Sequence, residues 1–282
     1  MTTELAKPSF ITNELIQQEL REQETLVDPR SLFPRMRLNK EIKGFMINMG
    51  DQIIGTPTEV NFLILGADNF YGSRALFAPG DDSTTPVCAT RLESPGKKPW
   101  TGYWNDESGY PNPTEGEHKC NACPWSKFGS EPQWDSSKSG GGPACKERRV
   151  IYGVMVEESK TERGRFGLID ETVIKLVLPA TSISTTKAMV SKATAQGWPL
   201  SASCFQLTAK QEARGSIKWC TLQAELIGVI GDENSYRKIQ ELRKKVRSVV
   251  SKDESLDDSS YIDTSATSAD IPSETTEDEI PF

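Results

Sequence analysis

The chain has 282 residues, of which 36% are hydrophobic, and its formal net charge is −7. That length is enough for one large domain or two small ones. The apolar runs, such as residues 62–65, are too short to cross a bilayer, and the first residues lack the basic and apolar regions of a signal peptide. We therefore expect a soluble, cytoplasmic protein without a membrane partner.

The charge is distributed unevenly along the chain. Residues 251–282 contain ten acidic residues and one basic residue, so they carry −9, and the preceding 250 residues carry +2. A nearly neutral body with a strongly acidic tail is typical of proteins that bind nucleic acid, although a solubilising tail on an ordinary domain has the same composition. Because Ser, Thr, Asp and Glu dominate this segment, we expect a disordered tail.

In chain order, residues 1–40 form an N-terminal helical or flexible segment, in which 13–27 have the apolar spacing of a short amphipathic helix. Residues 41–250 indicate one mainly β domain with a few helices. Short apolar or alternating runs predict strands at 42–49, 60–65, 75–78, 150–157, 172–178, 204–208 and 217–230. Helices are predicted over 182–196, which ends before Gly197, and over 232–250.

Residues 79–148 form an insertion with a different composition. They contain nine of the 17 prolines and nine of the 21 glycines, with little apolar periodicity. A stretch of this length inside a compact domain needs a source of order other than an apolar core. Four of the six cysteines and four of the six tryptophans also lie here.

The cysteines of the insertion have the spacing of a metal site, with one Cys-x-x-Cys pair completed by two distant thiols: Cys88, Cys120, Cys123 and Cys145. Intracellular thiols stay reduced, so this spacing indicates metal more than disulfides. Four thiolates around one Zn²⁺ would supply the missing folding energy. Three alternatives remain open: His118 in place of one thiolate, an iron–sulfur cluster on the same ligands, or unligated thiols. Cys204 and Cys220 lie in apolar runs, where small buried side chains are expected.

Binding single strands without reading their sequence requires aromatic rings that stack on bases and basic groups that contact phosphates. Residues 97–149 interleave the two types at Lys97, Lys98, Trp100, Tyr103, Trp104, Trp125, Lys127, Trp134, Arg148 and Arg149. Phe70, Tyr71 and Arg74, just before the insertion, form a second candidate group. Packing inside the domain is the competing explanation for each aromatic residue. The basic face of the 232–250 helix either contacts phosphate or is simply solvated.

Short strands rich in Val and Ile, one internal helix and a large loop insertion favour an OB-like barrel with a metal-stapled insertion. Another small β-barrel or a sandwich would have a similar pattern.

The end of the tail differs from the rest of it, because Ile280, Pro281 and Phe282 follow three acidic residues. Pro281 restricts the backbone, and Phe282 offers an apolar anchor whose α-carboxylate can pair with a basic residue of a partner. The tail resembles that of bacterial single-stranded DNA-binding proteins, which ends in a disordered linker and an acidic tip closing with Ile-Pro-Phe.

That resemblance covers residues 278–282 and implies a docking tip for replication and repair proteins, made of Asp278, Glu279, Ile280, Pro281 and Phe282. The larger body and the cysteine-rich insertion depart from the bacterial proteins. They are more similar to a phage-encoded analogue that acts in the cytoplasm of a bacterial host cell.

The sequence therefore predicts a protein that binds and protects single-stranded DNA during replication, recombination or repair, and not an enzyme. One alternative is a metal-cluster nuclease, for which Asp170, Glu171 and Lys175 form an imperfect acid-and-lysine pattern, although no phosphate-binding loop or nucleophile elbow is present. Others are a strand-annealing recombination protein and an adaptor that binds only proteins. The oligomeric state is open, and a homo-oligomer is compatible with the sequence.

Overall fold

The computed structural model of the chain describes residues 33–50, 52–79, 86–92, 100–105, 108–112, 118–136, 141–214 and 217–252. The helix predicted at 13–27 and the acidic tail beyond residue 252 lie outside the described residues. Strands predominate, so the predicted mainly β class is confirmed. None of the described helices has the length and apolar character needed to cross a membrane.

The described residues form twelve strands and three α-helices. The strands are β1 (Arg35–Asn39), β2 (Gly44–Met49), β3 (Gln52–Gly55), β4 (Glu59–Ile64), β5 (Phe70–Leu76), β6 (Cys88–Thr90), β7 (Thr101–Trp104), β8 (His118–Lys119), β9 (Lys146–Glu158), β10 (Arg165–Pro179), β11 (Ser203–Arg214) and β12 (Ile217–Ile230). The helices are α1 (Glu131–Trp134), α2 (Ile183–Ala195) and α3 (Glu233–Lys252).

Several elements extend further than the sequence pattern indicates. β10 begins seven residues before the predicted 172, and β11 continues six residues past the predicted 208. The added residues at the start of β10 are mostly exposed or half-buried, so backbone pairing with β9 and β12 holds them in the sheet without an apolar repeat. Helix α2 ends as predicted, since Gly197 has a φ of 70° that favours glycine after a helix.

Hydrogen bonds join all twelve strands into one sheet, in the order β3-β2-β1-β10-β12-β11-β4-β9-β5-β6-β7-β8. Because β9 also pairs with β10, five strands close a ring in the order β4, β9, β10, β12, β11 and back to β4. Each pair in the ring is antiparallel except β10 with β12, which is parallel. Strands β1–β3 attach to the ring at β10, and β5–β8 attach at β9.

Gly153 allows β4 and β9 to approach closely within this ring. A Cβ at that position would collide with the ring of Phe62 and with the carbonyl oxygen of Leu63. Phe62 is fully buried, so it has little freedom to move aside. A larger residue at 153 would therefore have to push the two strands apart.

Side chains alternate along the ring strands between two apolar clusters, as the pleat requires. Phe62 and Ile64 belong to the first cluster, whereas Leu63 and Leu65 belong to the second. The first cluster draws on all five ring strands and on β1 and β2, and α2 packs against it through Met189 and Ala193. The second cluster lies on the other face of β4, β9 and β10, and α3 covers it. We call this second surface the outer face.

Candidate metal centre and nucleic-acid interface

Strands β5–β8 and the segment that follows form a subdomain, residues 70–145, which contains the four predicted metal ligands. Cys88 lies in β6, and Cys145 directly precedes β9. β6 pairs with β7, and β7 pairs with β8, so the turn after β8 with Cys120 and Cys123 comes back toward Cys88. The N–H of Cys145 donates to the Trp125 carbonyl at 2.8 Å, which ties the last cysteine to the same turn.

Backbone hydrogen bonds shape the turn that carries the Cys-x-x-Cys pair. The N–H of Cys123 donates to the Cys120 carbonyl at 3.3 Å, and the Ser126 hydroxyl donates to both the Cys120 and the Cys123 carbonyl. Burial raises the pKa of Cys123, and the N–H groups of Trp125 and Ser126, which donate to its side chain, offset part of that effect. Donors of this kind stabilise a thiolate, the form of cysteine that binds metal.

All four thiols are buried and free of disulfides. Burial, followed by the charges of Cys120 and Cys123, raises the pKa of Cys88 to about 12. Burial and then the charge of Cys88 raise the pKa of Cys145 well above its ordinary value. Each effect of one thiol on another requires that they be neighbours. The structure therefore brings the four predicted ligands into one cluster.

The cluster is not set in the geometry of a metal site. Across the described ranges, no group of three or more His, Cys, Asp or Glu side chains is arranged to hold a metal ion. The donor set itself fits a thiophilic ion, since a bound metal cation would stabilise the thiolate form that burial disfavours.

His118, the alternative ligand, lies beside the cluster. It is buried, burial lowers its pKa, and its ring centroid is 5.8 Å from that of Trp104. Gly102 makes room for it, because a Cβ there would lie 2.6 Å from His118 Cδ2 and 3.0 Å from Cys88 Sγ. His118 and Cys88 therefore both lie against the same glycine.

Three of the predicted stacking residues pack around the thiols. Trp104, Trp125 and Trp134 are half-buried against the apolar cluster that contains Cys88 and Cys145. The Trp104 indole donates to the Tyr110 carbonyl at 2.9 Å, and that of Trp134 donates to the Phe77 carbonyl at 2.7 Å. These hydrogen bonds fix both rings within the subdomain, so their first role is packing.

Other predicted DNA-binding residues are buried. Trp100 is 2% exposed and Phe70 is 8% exposed, so neither ring offers a free face for a base. The Arg149 guanidinium lies 5.8 Å from the Trp100 ring centroid and pairs with Glu147 at 2.9 Å, and burial lowers its pKa. Bases could stack on Trp100 or Phe70 only if those rings moved. A DNA interface would otherwise use other side chains.

The exposed aromatic residue of the predicted group is Tyr103. Its ring is 36% exposed, and the Arg91 guanidinium lies over it at 4.9 Å from the centroid. Arg91 was not selected from the sequence, because only the pairing of β6 with β7 brings it to Tyr103. Phe128 is 60% exposed, and neighbouring Lys127 is exposed as well.

The remaining predicted residues have mixed environments. Tyr71 is half-buried and its ring packs edge-on to Tyr152 at 5.8 Å, and burial raises its pKa. Arg74 pairs with Glu147 at 3.2 Å, and Arg148 is half-buried on β9. Lys97, Lys98 and the docking tip at 278–282 lie outside the described residues.

The residues proposed for the nuclease alternative are in different environments. Asp170 and Glu171 are exposed, whereas Lys175 is 4% exposed. Glu171 pairs with Lys238 of α3 at 2.7 Å.

A search of known proteins finds no matching family model, no matching curated protein and no matching solved structure.

Proposed function

We propose that the protein binds and protects single-stranded DNA, and that its five-stranded ring is an OB-type barrel. The order of pairing supports this. In chain order the ring strands β4, β9, β10, β11 and β12 are the first to the fifth strand of the barrel. The first pairs with the second, the second with the third, the third with the fifth, the fifth with the fourth, and the fourth with the first. One parallel pair and a helix between the third and fourth strands agree with the five-stranded Greek-key barrel that binds oligonucleotides in many proteins.

The position of the insertion in the barrel gives this proposal its strongest support. Barrels of this type bind oligonucleotides near the second and third strands and the loops that flank them, including the loop between strands one and two. Here that connection runs from β4 to β9, so it contains the whole cysteine subdomain. The exposed Tyr103 with Arg91 and the exposed Lys127 then lie in the part of the chain where an OB-type barrel holds its ligand.

We also propose that Cys88, Cys120, Cys123 and Cys145 hold one zinc ion with a structural role. The ion would balance the charge of thiolates and join β6, the turn after β8 and the start of β9. Burial raises the pKa of Cys123 and Cys145, and the nearby charge of Arg74 opposes that effect and so favours thiolates at the same place. An iron–sulfur cluster on the same four ligands is the alternative.

The proposed role is binding and recruitment, not catalysis. We propose that the protein binds single-stranded DNA in the cytoplasm of a bacterial host cell during replication, recombination or repair. The tip at 278–282 docks onto other proteins of those processes, through the apolar anchor of Phe282 and the acidic residues before it.

A gel-shift assay with the purified full chain tests the DNA-binding proposal. Labelled oligo(dT) and a labelled duplex of the same length are titrated at two salt concentrations. We expect the protein to shift oligo(dT) at lower concentration than duplex, and the affinity to fall as salt increases. Equal or tighter binding to the duplex would overturn the proposal.

A further inference from the structure

Helix α3 packs against the outer face of the ring next to β10 and β12, and it shares an apolar cluster with residues of β9. Ile239 and Val246 have no exposure, and both belong to the cluster that contains Val150, Val154 and Val173. Tyr236, Leu242, Val249 and Val250 pack against the same cluster. The whole apolar stripe of the helix is therefore used in packing against the sheet.

This packing leaves no room for a nucleic-acid strand on the outer face of β9 and β10. Most cluster members on β9 and β10 are valines, and the two aromatic ones, Tyr152 and Phe166, are buried. Exposing them would cost apolar burial of about 25 cal/mol per Å². A strand that approaches this part of the barrel has to pass over α3 rather than beneath it.

Charged contacts hold the helix on both flanks. Arg243 contacts Asp68 at 2.8 Å, and Arg247 contacts the same carboxylate at 3.1 Å. On the opposite flank, Lys238 contacts Glu171 at 2.7 Å. These contacts orient α3 so that a fixed side points to solvent.

The solvent side of α3 is strongly basic. The helix contains seven basic and two acidic residues, a net charge of +5, within a chain whose net charge is −7. Arg237, Lys244 and Lys245 are exposed, away from the stripe of Ile239 and Val246. Arg237 and Lys244 are two helical turns apart, about 10 Å along the axis, so the cations form a row along the helix.

The second half of α3 is attached to the connection between β4 and β5. Asp68, which contacts the second half of α3, lies in the turn between β4 and β5. Leu92, next to Arg91, packs against the same apolar cluster as the helix. The second half of α3 therefore lies beside the connection that leads into β5, the first strand of the cysteine subdomain.

We propose that the solvent side of α3 binds the phosphate backbone of single-stranded DNA through Arg237, Lys244 and Lys245. This inference rests on the proposed function and identifies where the strand lies. The occupant follows from charge complementarity, since a row of cations on a rigid helix matches a polyanion. The bases of the same strand would stack on aromatic residues of the cysteine subdomain.

The test compares two variants of the full chain with equal loss of charge. The first carries Arg237→Gln, Lys244→Gln and Lys245→Gln. The control carries Lys43→Gln, Lys187→Gln and Lys192→Gln, which replace exposed residues outside α3, the cysteine subdomain and the connection between β9 and β10. Glutamine is a good helix former, and circular dichroism with thermal melting checks that both variants fold as the wild type does. Binding of fluorescent oligo(dT) is measured from 50 to 200 mM salt.

Each phosphate contact on a single strand contributes about 0.7 to the slope of log affinity against log salt, so the α3 variant should lose a slope of about 2. The ratio of wild-type affinity to the affinity of the α3 variant should therefore fall roughly fifteenfold between 50 and 200 mM salt, whereas the control keeps the wild-type slope. Wild-type binding with an unchanged slope in the α3 variant would overturn this inference and leave the proposed function standing. An absence of oligo(dT) binding by the wild type itself would overturn both.

Discussion

The Arg243 guanidinium donates to the Asp68 carboxylate at 2.8 Å and joins two residues that lie 175 positions apart in the chain. Arg247, one helical turn further on, contacts the other carboxylate oxygen at 3.1 Å. One half-buried acid therefore holds two turns of α3 against the connection between β4 and β5.

Replacing Asp68 with Asn should weaken this attachment. Because the contacts are only partly exposed to solvent, we expect the free energy of unfolding to fall by about 1 kcal/mol, which corresponds to a melting temperature lower by about 2–4 °C. Urea and thermal denaturation measure both quantities. Glu233→Gln removes the largely exposed pair with Arg237 and should change stability by less than about 0.5 kcal/mol. Equal effects of the two substitutions would contradict a specific role for Asp68.

The purified protein should contain about one zinc ion per chain by elemental analysis, since the cysteine subdomain gathers four buried thiols. Cys123→Ser removes one of these thiols and should abolish zinc retention and lower the melting temperature. Cys220→Ala is the matched control, because that buried thiol lies elsewhere, 3.8 Å from the Asn39 carbonyl. A metal-free protein, or visible absorption of an iron–sulfur cluster, would overturn the zinc assignment.

Substitutions of Trp100 and Tyr103, which lie three positions apart, should affect two different properties, stability and DNA binding. Tyr103→Ala removes an exposed ring and should weaken oligo(dT) binding by about 1–3 kcal/mol, with little change in stability. Trp100→Ala empties a buried site and should lower the free energy of unfolding by about 3–5 kcal/mol. Binding titrations and urea denaturation separate the two effects. If Tyr103→Ala binds DNA as tightly as wild type, Tyr103 is not a stacking residue.

The sequence predicts most of the strands because apolar residues alternate along them, and the strand predicted over 217–230 has the observed bounds of β12. It also predicts α3, whose apolar stripe of Ile239 and Val246 packs as expected. The closure of the ring has no comparable local signal. It depends on the parallel pairing of β10 with β12, which joins Arg165 to Val229 across 64 positions.

The sequence predicts which cysteines lie close together, but it does not predict which aromatic residues are exposed. Local spacing identifies Cys120 and Cys123 as a pair, because two thiols in one tight turn are necessarily close. The environments of Trp100 and Tyr103 depend instead on what lies across the sheet. Trp100 is buried because Gly72, on another strand, leaves space that a Cβ would fill. No property of the segment around Trp100 specifies that neighbour.

Deleting residues 280–282 should separate docking from DNA binding. The deletion removes the apolar anchor and leaves the acidic run intact, so partner proteins should be lost in a pull-down from bacterial lysate while oligo(dT) affinity hardly changes. Deleting 253–282 removes ten acidic residues and no basic ones, and should tighten DNA binding most at low salt. If the three-residue deletion retains every partner, the tail is only a solubilising segment.

The most direct test of the central claim is an equilibrium competition between DNA forms. A fluorescent oligo(dT) is bound to the full-length protein at moderate salt, and unlabelled oligo(dT) or unlabelled duplex of equal nucleotide concentration is added while anisotropy is recorded. Single-strand binding through stacked bases predicts that oligo(dT) displaces the probe at concentrations at least about tenfold lower than duplex does. Displacement by duplex at equal or lower concentration would contradict the account.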